Sequence, residues 1–343
     1  MKPVPRVVSV VLVVGAALAA AFWLWLPRHE GEGIAESKLV VAPHSGDSLV
    51  ALPPPPRLPP DKVALGKALF QDVRLSKDDT IACASCHDLK KFGDDGRPAS
   101  VGVGGAVGSV NAPSVFNASL NFVQFWDGRA ATLEEQAAGP VHNPLEMASD
   151  WATVIAKLQA DEAFSSSFRR AYLDGINAAN LADAIATFER TLLTGNSPFD
   201  RFLRGDAQAL DSKARLGYQR FRDLGCASCH QGANIGGNMF QRFGIMEDYL
   251  SSVARRRPPT QADLGRFNVT GLEVDRQVFK VPSLRNVAET PPYFHDGSAA
   301  TLEEAIAIMG RYQLGRNLSF EEIDSLAAFL KSLTGERPAS LRP

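Results

Sequence analysis

The cysteines of this chain sit in two identical pentapeptides, Cys83-Ala84-Ser85-Cys86-His87 and Cys226-Ala227-Ser228-Cys229-His230, and nowhere else. Cys-x-x-Cys alone is shared by zinc sites, redox disulfides and haem attachment. A histidine directly after the second thiol selects the last of these. The two thiols can add across the vinyl groups of a haem, and the imidazole beside them can ligate its iron. A four-thiolate zinc site or two redox-active pairs is the competing reading, and the doubled histidine argues against it. Two covalent c-type haems are therefore expected, one on Cys83, Cys86 and His87 and one on Cys226, Cys229 and His230. What lies opposite each histidine decides function, because a second strong ligand gives an electron carrier and an open position gives a reactive centre. Methionine is the usual sixth ligand of high-potential c haems. Met1 apart, the chain offers Met147, Met239, Met246 and Met309.

The elements that position these groups are duplicated. Phe125-Trp126-Asp127-Gly128-Arg129-Ala130-Ala131-Thr132-Leu133-Glu134-Glu135 returns as Phe294-His295-Asp296-Gly297-Ser298-Ala299-Ala300-Thr301-Leu302-Glu303-Glu304. Pro113-Ser114-Val115-Phe116-Asn117 returns at the same offset as Pro282-Ser283-Leu284-Arg285-Asn286. Each half thus runs from CxxCH through a Pro-Ser segment to an aromatic turn and a helix, and the second carries an insertion over about 232–279. Thr132 to Glu135, Thr301 to Glu304 and Ser319 to Glu322 have the form of capping boxes at helix starts. Ile323, Leu326, Ala327, Leu330 and Leu333 fall on one helical face, and 151–159 and 181–193 read as further amphipathic helices. The glycine-rich stretch 93–108 reads as a loop, and no run reads as a substantial strand. The expected fold is all-α, with two homologous cytochrome c-like domains over 61–205 and 206–343.

At 343 residues, 45% apolar and 22% charged with net charge −2, the chain can bury two modest cores and shows no basic stripe for nucleic acid. Residues 1–28 hold an uncharged stretch from Val7 to Leu26 behind Lys2 and Arg6, long enough to span a bilayer. Trp23 and Trp25 near its end favour an uncleaved anchor over a cleaved signal, with the body outside the cytoplasm. Covalent haem attachment points to the same compartment, so a periplasmic location at the inner membrane is expected. Residues 29–60, with Pro53 to Pro56 and Pro59-Pro60, read as a semi-stiff tether. His29 and His44 fall within that tether.

From 61 to 335 the chain resembles the bacterial dihaem cytochrome c peroxidases. The resemblance rests on Asn111 to Asn117, Gln124 to Ala130, Glu135 to Pro140, Glu146-Met147, Phe279 to Asn286, Thr290 to Gly297 and Ala305 to Met309. It implies that Met309 is the sixth ligand opposite His230, where the related methylamine-utilisation dihaem enzyme has tyrosine. It implies Glu146 as the acid or base in proton transfer during peroxide cleavage, with Gln136 beside it over the N-terminal haem. It also implies Trp126 as an aromatic bridge between the haems, and calcium held by Asn111 and the carbonyls of Thr290 and Pro292. Taken singly, Met309 and Trp126 read as core, Glu146 as a solvated residue, and no calcium motif is visible.

One departure stands out. Many relatives carry a histidine that caps the N-terminal haem in the oxidised enzyme, and Val103 occupies that position here. His142 is the unassigned histidine nearest in sequence, either a substitute ligand, a pocket base or a surface group. His295 replaces Trp126 in the second repeat and should lie near the C-terminal haem. The activity implied is reduction of hydrogen peroxide to water, with electrons from a small cytochrome c or cupredoxin. A pure electron-transfer cytochrome and an oxidase of a protein or organic substrate are the alternatives, and a homodimer is left open.

Overall fold

The computed structural model describes residues 48–253 and 257–341. The apolar segment 7–26 and residues 29–47 of the expected tether, with His29 and His44, lie outside the described residues, whereas the proline run from Pro53 to Pro60 is within them. Among the described residues no helix is long and apolar enough to cross a membrane.

The first half contains α1 (Pro60–Phe70), α2 (Cys83–Cys86), α3 (Leu133–His142), α4 (Trp151–Gln159), α5 (Glu162–Ala171) and α6 (Ala178–Glu189). The second contains α7 (Pro198–Leu203), α8 (Ser212–Asp223), β1 (Phe240–Arg242), α9 (Tyr249–Val253), α10 (Phe267–Thr270), β2 (Val278–Lys280), α11 (Leu302–Leu314) and α12 (Phe320–Lys331). The fold is mostly helical, and β1 and β2 form a two-stranded antiparallel ribbon that the all-α expectation lacked. Three-residue strands leave too short an alternation to register as a sequence period.

Side-chain caps set the helix starts. Thr132, Asp150, Asp161, Asn177, Asp211, Thr301 and Ser319 each accept a backbone N–H from the first turn, satisfying amides that have no partner within the helix. The Asn177 cap explains why α6 begins before the apolar period that marks it from Leu181 onward.

The duplication is visible in packing. Helix α1 crosses α6 at Gly66, and α8 crosses α12 at Gly217. A Cβ on either glycine would meet a carbonyl, that of Ala184 or Ser325, and the Cβ of Phe188 or Phe329 at 2.8 Å. Two helices can approach so closely only where one lacks a side chain. Around these crossings lie two cores, one with Leu69, Phe70, Leu181 and Phe188 and one with Phe199, Tyr218, Leu326 and Phe329. Thr194 joins the halves, its hydroxyl accepting from Asn117 Nδ2 at 2.8 Å and from Asn286 Nδ2 at 2.9 Å. These asparagines are equivalent in the repeat.

Both ends of the described chain cross between the halves. Residues 48–52, within the stretch read as a tether, lie on the second core. Gly232 donates to the Ser48 carbonyl at 2.7 Å, Leu52 N–H donates to Asp200 at 3.0 Å, and Leu49 and Leu52 are buried. Asp200 also pairs with Arg285 at 2.8 Å, with both side chains fully buried. At the other end, Leu341 packs on the first core and the Ser340 carbonyl accepts from Lys67 Nζ at 3.0 Å. Helix α7 contributes Phe199 and Phe202 to the second core, so that core begins before residue 205.

Candidate functional site

Each CxxCH pentapeptide forms a tight turn that aims its histidine inward. In the first, the four residues of α2 precede His87, whose N–H donates to the Cys83 carbonyl at 3.0 Å. His87 Nδ1 donates to the Gly93 carbonyl at 3.2 Å, which leaves Nε2 for a metal. Burial lowers its pKa, opposed by the Gly93 carbonyl and by Asp95, so the imidazole is held neutral as a ligand must be. Burial likewise pushes His230 down to about 4, although carbonyls of Ile235 and Pro282 lie near enough to pull the other way. Its Nδ1 is buried and not in hydrogen-bonding geometry with either carbonyl.

The cysteine environments decide between the readings of the motif. Cys83 packs on the first core and Cys226 on the second, so the four thiols do not converge as a zinc site requires. All four are free. Burial raises the Cys83 thiol and pushes Cys226 up to about 11, the reverse of the lowered pKa that makes a redox thiol reactive. A cavity of about 440 Å³ opens beside the second pentapeptide, lined by Cys226, Cys229, His230 and, from α11, Met309. Thiols, a neutral imidazole and a thioether on one mostly apolar cavity fit a covalent haem with two axial ligands. Met239 and Met246 are not on that wall, and Met246 is exposed.

The same cavity reaches the contact between the halves, where Asn111, Trp126, Thr290, Pro292 and His295 also line it. Trp126 Nε1 donates to the Asn111 carbonyl at 2.9 Å, and its own carbonyl accepts the Lys280 N–H at 2.8 Å. Asn111 N–H donates to the His295 carbonyl at 2.8 Å, and Asn111 Nδ2 to the Arg97 carbonyl at 2.9 Å. With its amide nitrogen so engaged, the Asn111 oxygen is the atom left for a hard cation, and oxygen donors of this kind suit calcium.

Glu146 stands on the first half's side. Its Oε1 accepts from Asn143 Nδ2 at 2.6 Å. Burial raises its pKa, against the Asn143 hydrogen bond and the nearby Arg129 charge. Its charge in turn bears on Cys83 and Cys86, which places it beside the first haem attachment turn. The loop carrying Val103 is docked onto the same residue, with Val103 N–H donating to the Glu146 carbonyl at 2.8 Å. Gly102 leaves no room for a Cβ against the Leu145 and Glu146 backbone. Gln136 is half-buried on α3, whose first turn Thr132 caps. His142 points away: it is exposed, its Nδ1 donates to the Ala138 carbonyl at 2.8 Å, and its ring meets the Trp151 edge.

His295, expected near the C-terminal haem, lines the same cavity as His230, whereas Asp263, Arg257, Glu189 and Lys280 were not singled out from the sequence. His295 Nε2 lies 2.9 Å from Asp263, and its ring stacks on Phe279. Burial alone would raise the Asp263 carboxyl, but Arg257, His295 and Thr260 hold it far below the usual range. Arg257 also pairs with Asp296 at 2.9 Å, so this acidic cluster already has its cation. Asp263 and Arg257 belong to the second-half insertion, which has no counterpart in the repeat to mark them. Glu189 on α6 is buried and pushed up to about 8, by burial first and by Glu134. Lys280 is the remaining buried charge on the cavity wall, and its signal was a lysine set within the apolar run Val278 to Val281.

Comparison with known proteins converges on one family. The profile of the di-haem cytochrome c peroxidases matches residues 60–208, and that of cytochrome c matches 214–334. The chain is 49% identical to the cytochrome c peroxidase Ccp of Escherichia coli over 91% of its own length, and spans 66% of that protein. It is 45% identical to the cytochrome c551 peroxidase of Nitrosomonas europaea, over 81% of each chain. A crystal structure of a MauG-like protein associated with microbial copper homeostasis superposes with a TM-score of 0.73 at 30% identity. That match covers 83% of this chain and 94% of the other.

Proposed function

The chain belongs to the di-haem cytochrome c peroxidase family, and on that premise we propose that it reduces hydrogen peroxide to water with electrons from a small cytochrome c or cupredoxin. The observation that carries this reading is Glu146, a half-buried carboxylate held by Asn143 at 2.6 Å beside the first haem attachment turn. Cys83, Cys86 and His87 would hold one haem, and Cys226, Cys229, His230 and Met309 the other. Bound there, the first haem supplies an iron that can break the O–O bond, and the second stores and passes on an electron.

The remaining chemistry belongs to side chains of this chain. Glu146 takes a proton from the bound peroxide oxygen and returns it to the departing one, a transfer that needs a carboxyl with its pKa above the ordinary range. Asn143 fixes that carboxyl at Oε1, and Gln136 supplies a neutral polar group on the helix that ends at His142. Val103 adds an aliphatic side chain in place of an iron ligand, so peroxide access needs no ligand to leave. Trp126, pinned at Nε1 by the Asn111 carbonyl, gives electrons an aromatic route between the halves. The Asn111 amide oxygen with the Thr290 and Pro292 carbonyls would hold calcium where the halves meet. The same reading puts the body of the protein in the periplasm, with 7–26 as its membrane anchor.

The test is steady-state oxidation of a reduced small cytochrome c after addition of peroxide, on protein shown by mass to carry both haems. Oxidation of two donor molecules per peroxide is the expected result. Haem-loaded protein that oxidises neither a cytochrome c nor a cupredoxin when peroxide is added would overturn the proposal.

A further inference from the structure

Two buried ion pairs of this fold are compensated within the chain. Arg285 is matched by Asp200, and Asp263 by Arg257 and His295. Lys280 is a buried cation with no such partner among the described residues. It closes β2 opposite Phe240 of β1 and is 5% exposed. Its ammonium makes no hydrogen bond or ion pair with any described residue. Burial alone pushes its pKa down to about 8, with no acidic side chain near enough to pull it back. An uncompensated buried cation is strongly destabilising, so such a group is expected to meet an anion.

Where the side chain lies says which anion. Lys280 is on the wall of the cavity that Cys226, Cys229, His230 and Met309 also line. The other basic groups on that wall are otherwise engaged. Arg285 is neutralised by Asp200, and exposed Arg242 at the far end of β1 reaches Gln277 at 3.3 Å. A haem brings two propionate carboxylates into such a cavity, and Lys280 is the one buried cation there, among the described residues, without a carboxylate of its own. The backbone of Lys280 also donates to the Trp126 carbonyl at 2.8 Å, so β2 fixes the cation relative to that ring.

The repeat adds an independent observation. Lys280 stands two residues before Pro282-Ser283, and the residue in the same register of the first half, two before Pro113-Ser114, is the neutral Asn111. The charge therefore belongs to one half of a duplicated fold. It distinguishes two haem sites that share the same attachment pentapeptide.

We propose that the Lys280 ammonium is the counter-ion of a propionate of the haem held by Cys226, Cys229 and His230, and that it raises the reduction potential of that haem over its partner's. The inference rests on the assignment of that cavity as a haem site. A fixed positive charge disfavours the ferric state relative to the ferrous one, so its removal lowers the potential. A unit charge on the order of 10 Å away, at an effective dielectric constant of about 20, shifts a one-electron equilibrium about tenfold. Lys280 is thus a positioning and tuning residue that need not touch peroxide or donor.

The test is a spectroscopic redox titration of the loaded protein and of Lys280→Met, Lys280→Gln and Lys280→Arg, following both haems. Mass spectrometry first establishes haem on both cysteine pairs. Lys280→Met and Lys280→Gln are expected to weaken electron uptake by the C-terminal haem about tenfold, a shift of about 59 mV for one electron. Lys280→Arg should keep the wild-type value, and the N-terminal haem should not move in any variant. A C-terminal potential unchanged in the Met and Gln variants overturns the inference, as does an equal fall in all three. If one neutral variant does not fold, the other and Lys280→Arg still decide. Absence of haem from Cys226 and Cys229 in the wild type would instead overturn the site assignment beneath it.

Discussion

Replacing Glu146 with glutamine isolates the proton-transfer step from everything else the residue does. Asn143 Nδ2 donates to Oε1 at 2.6 Å, and the glutamine carbonyl can accept that same bond. The backbone contacts that dock the 102–103 loop on residue 146 are untouched, because they use its carbonyl. What is lost is the ability of the second carboxyl oxygen to bind and release a proton. A positioned group of this kind is worth about 10²- to 10⁴-fold in rate, or about 3–5 kcal/mol of barrier. The assay is peroxide-dependent oxidation of reduced cytochrome c, with kcat and kcat/KM followed across pH. As the base that first takes the proton, Glu146 must be ionised, so wild-type kcat/KM should fall as pH drops through its pKa. Burial raises that pKa, which places the inflection above the ordinary carboxylate range. Glu146→Gln should lose turnover by the stated factor and lose that inflection as well. Glu135→Gln serves as the control, since Glu135 Oε2 accepts the Ala131 N–H at 2.7 Å at the start of α3 and should affect stability rather than rate. Wild-type turnover in Glu146→Gln would refute the assignment.

Two further outcomes follow from other parts of the fold. Met309→His should lower the potential of the C-terminal haem by on the order of 0.1 V, because axial ligand identity is a main lever on haem potential; an unmoved titration would assign the sixth ligand elsewhere. Glu189, pushed up to about 8 from 4.5 by burial, binds its proton more tightly folded than unfolded, so its contribution is full below pH 4.5 and is lost as pH rises through 8. Glu189→Gln should flatten the decline in chemical-denaturation stability over that window, on the order of 1.4 kcal/mol per pH unit at its steepest, and an unchanged pH profile would refute the shift.

Motif and repeat carried much of the architecture because each is short-range or self-similar. Two CxxCH turns, the capping threonines and the Pro-Ser segments can be read one window at a time, and the structure places the turns in two equivalent cores. The glycines at 66 and 217 are less legible, since a glycine within a helical period reads as a weakness until its crossing partner is known. The strap at 48–52 was hidden by the prolines that follow it. Leu49 and Leu52 are buried through contacts with residues far along the chain, which composition cannot report. Asp263 and Arg257 escaped for the same reason, because they come from an unrepeated insertion and Asp263 meets His295 on a distant turn. Met309 and Glu146 were singled out only by resemblance, since a methionine on a helix and a carboxylate before a turn carry no chemical signal of their own in the sequence.

The central claim is an accessible iron site beside Glu146, with Val103 where relatives place a capping ligand. Electron paramagnetic resonance of the fully oxidised, haem-loaded protein, recorded before and after addition of hydrogen peroxide, tests it most directly. The predicted result is one high-spin and one low-spin ferric haem, with the high-spin signal lost on addition of peroxide. Two low-spin signals that peroxide leaves unchanged would contradict it.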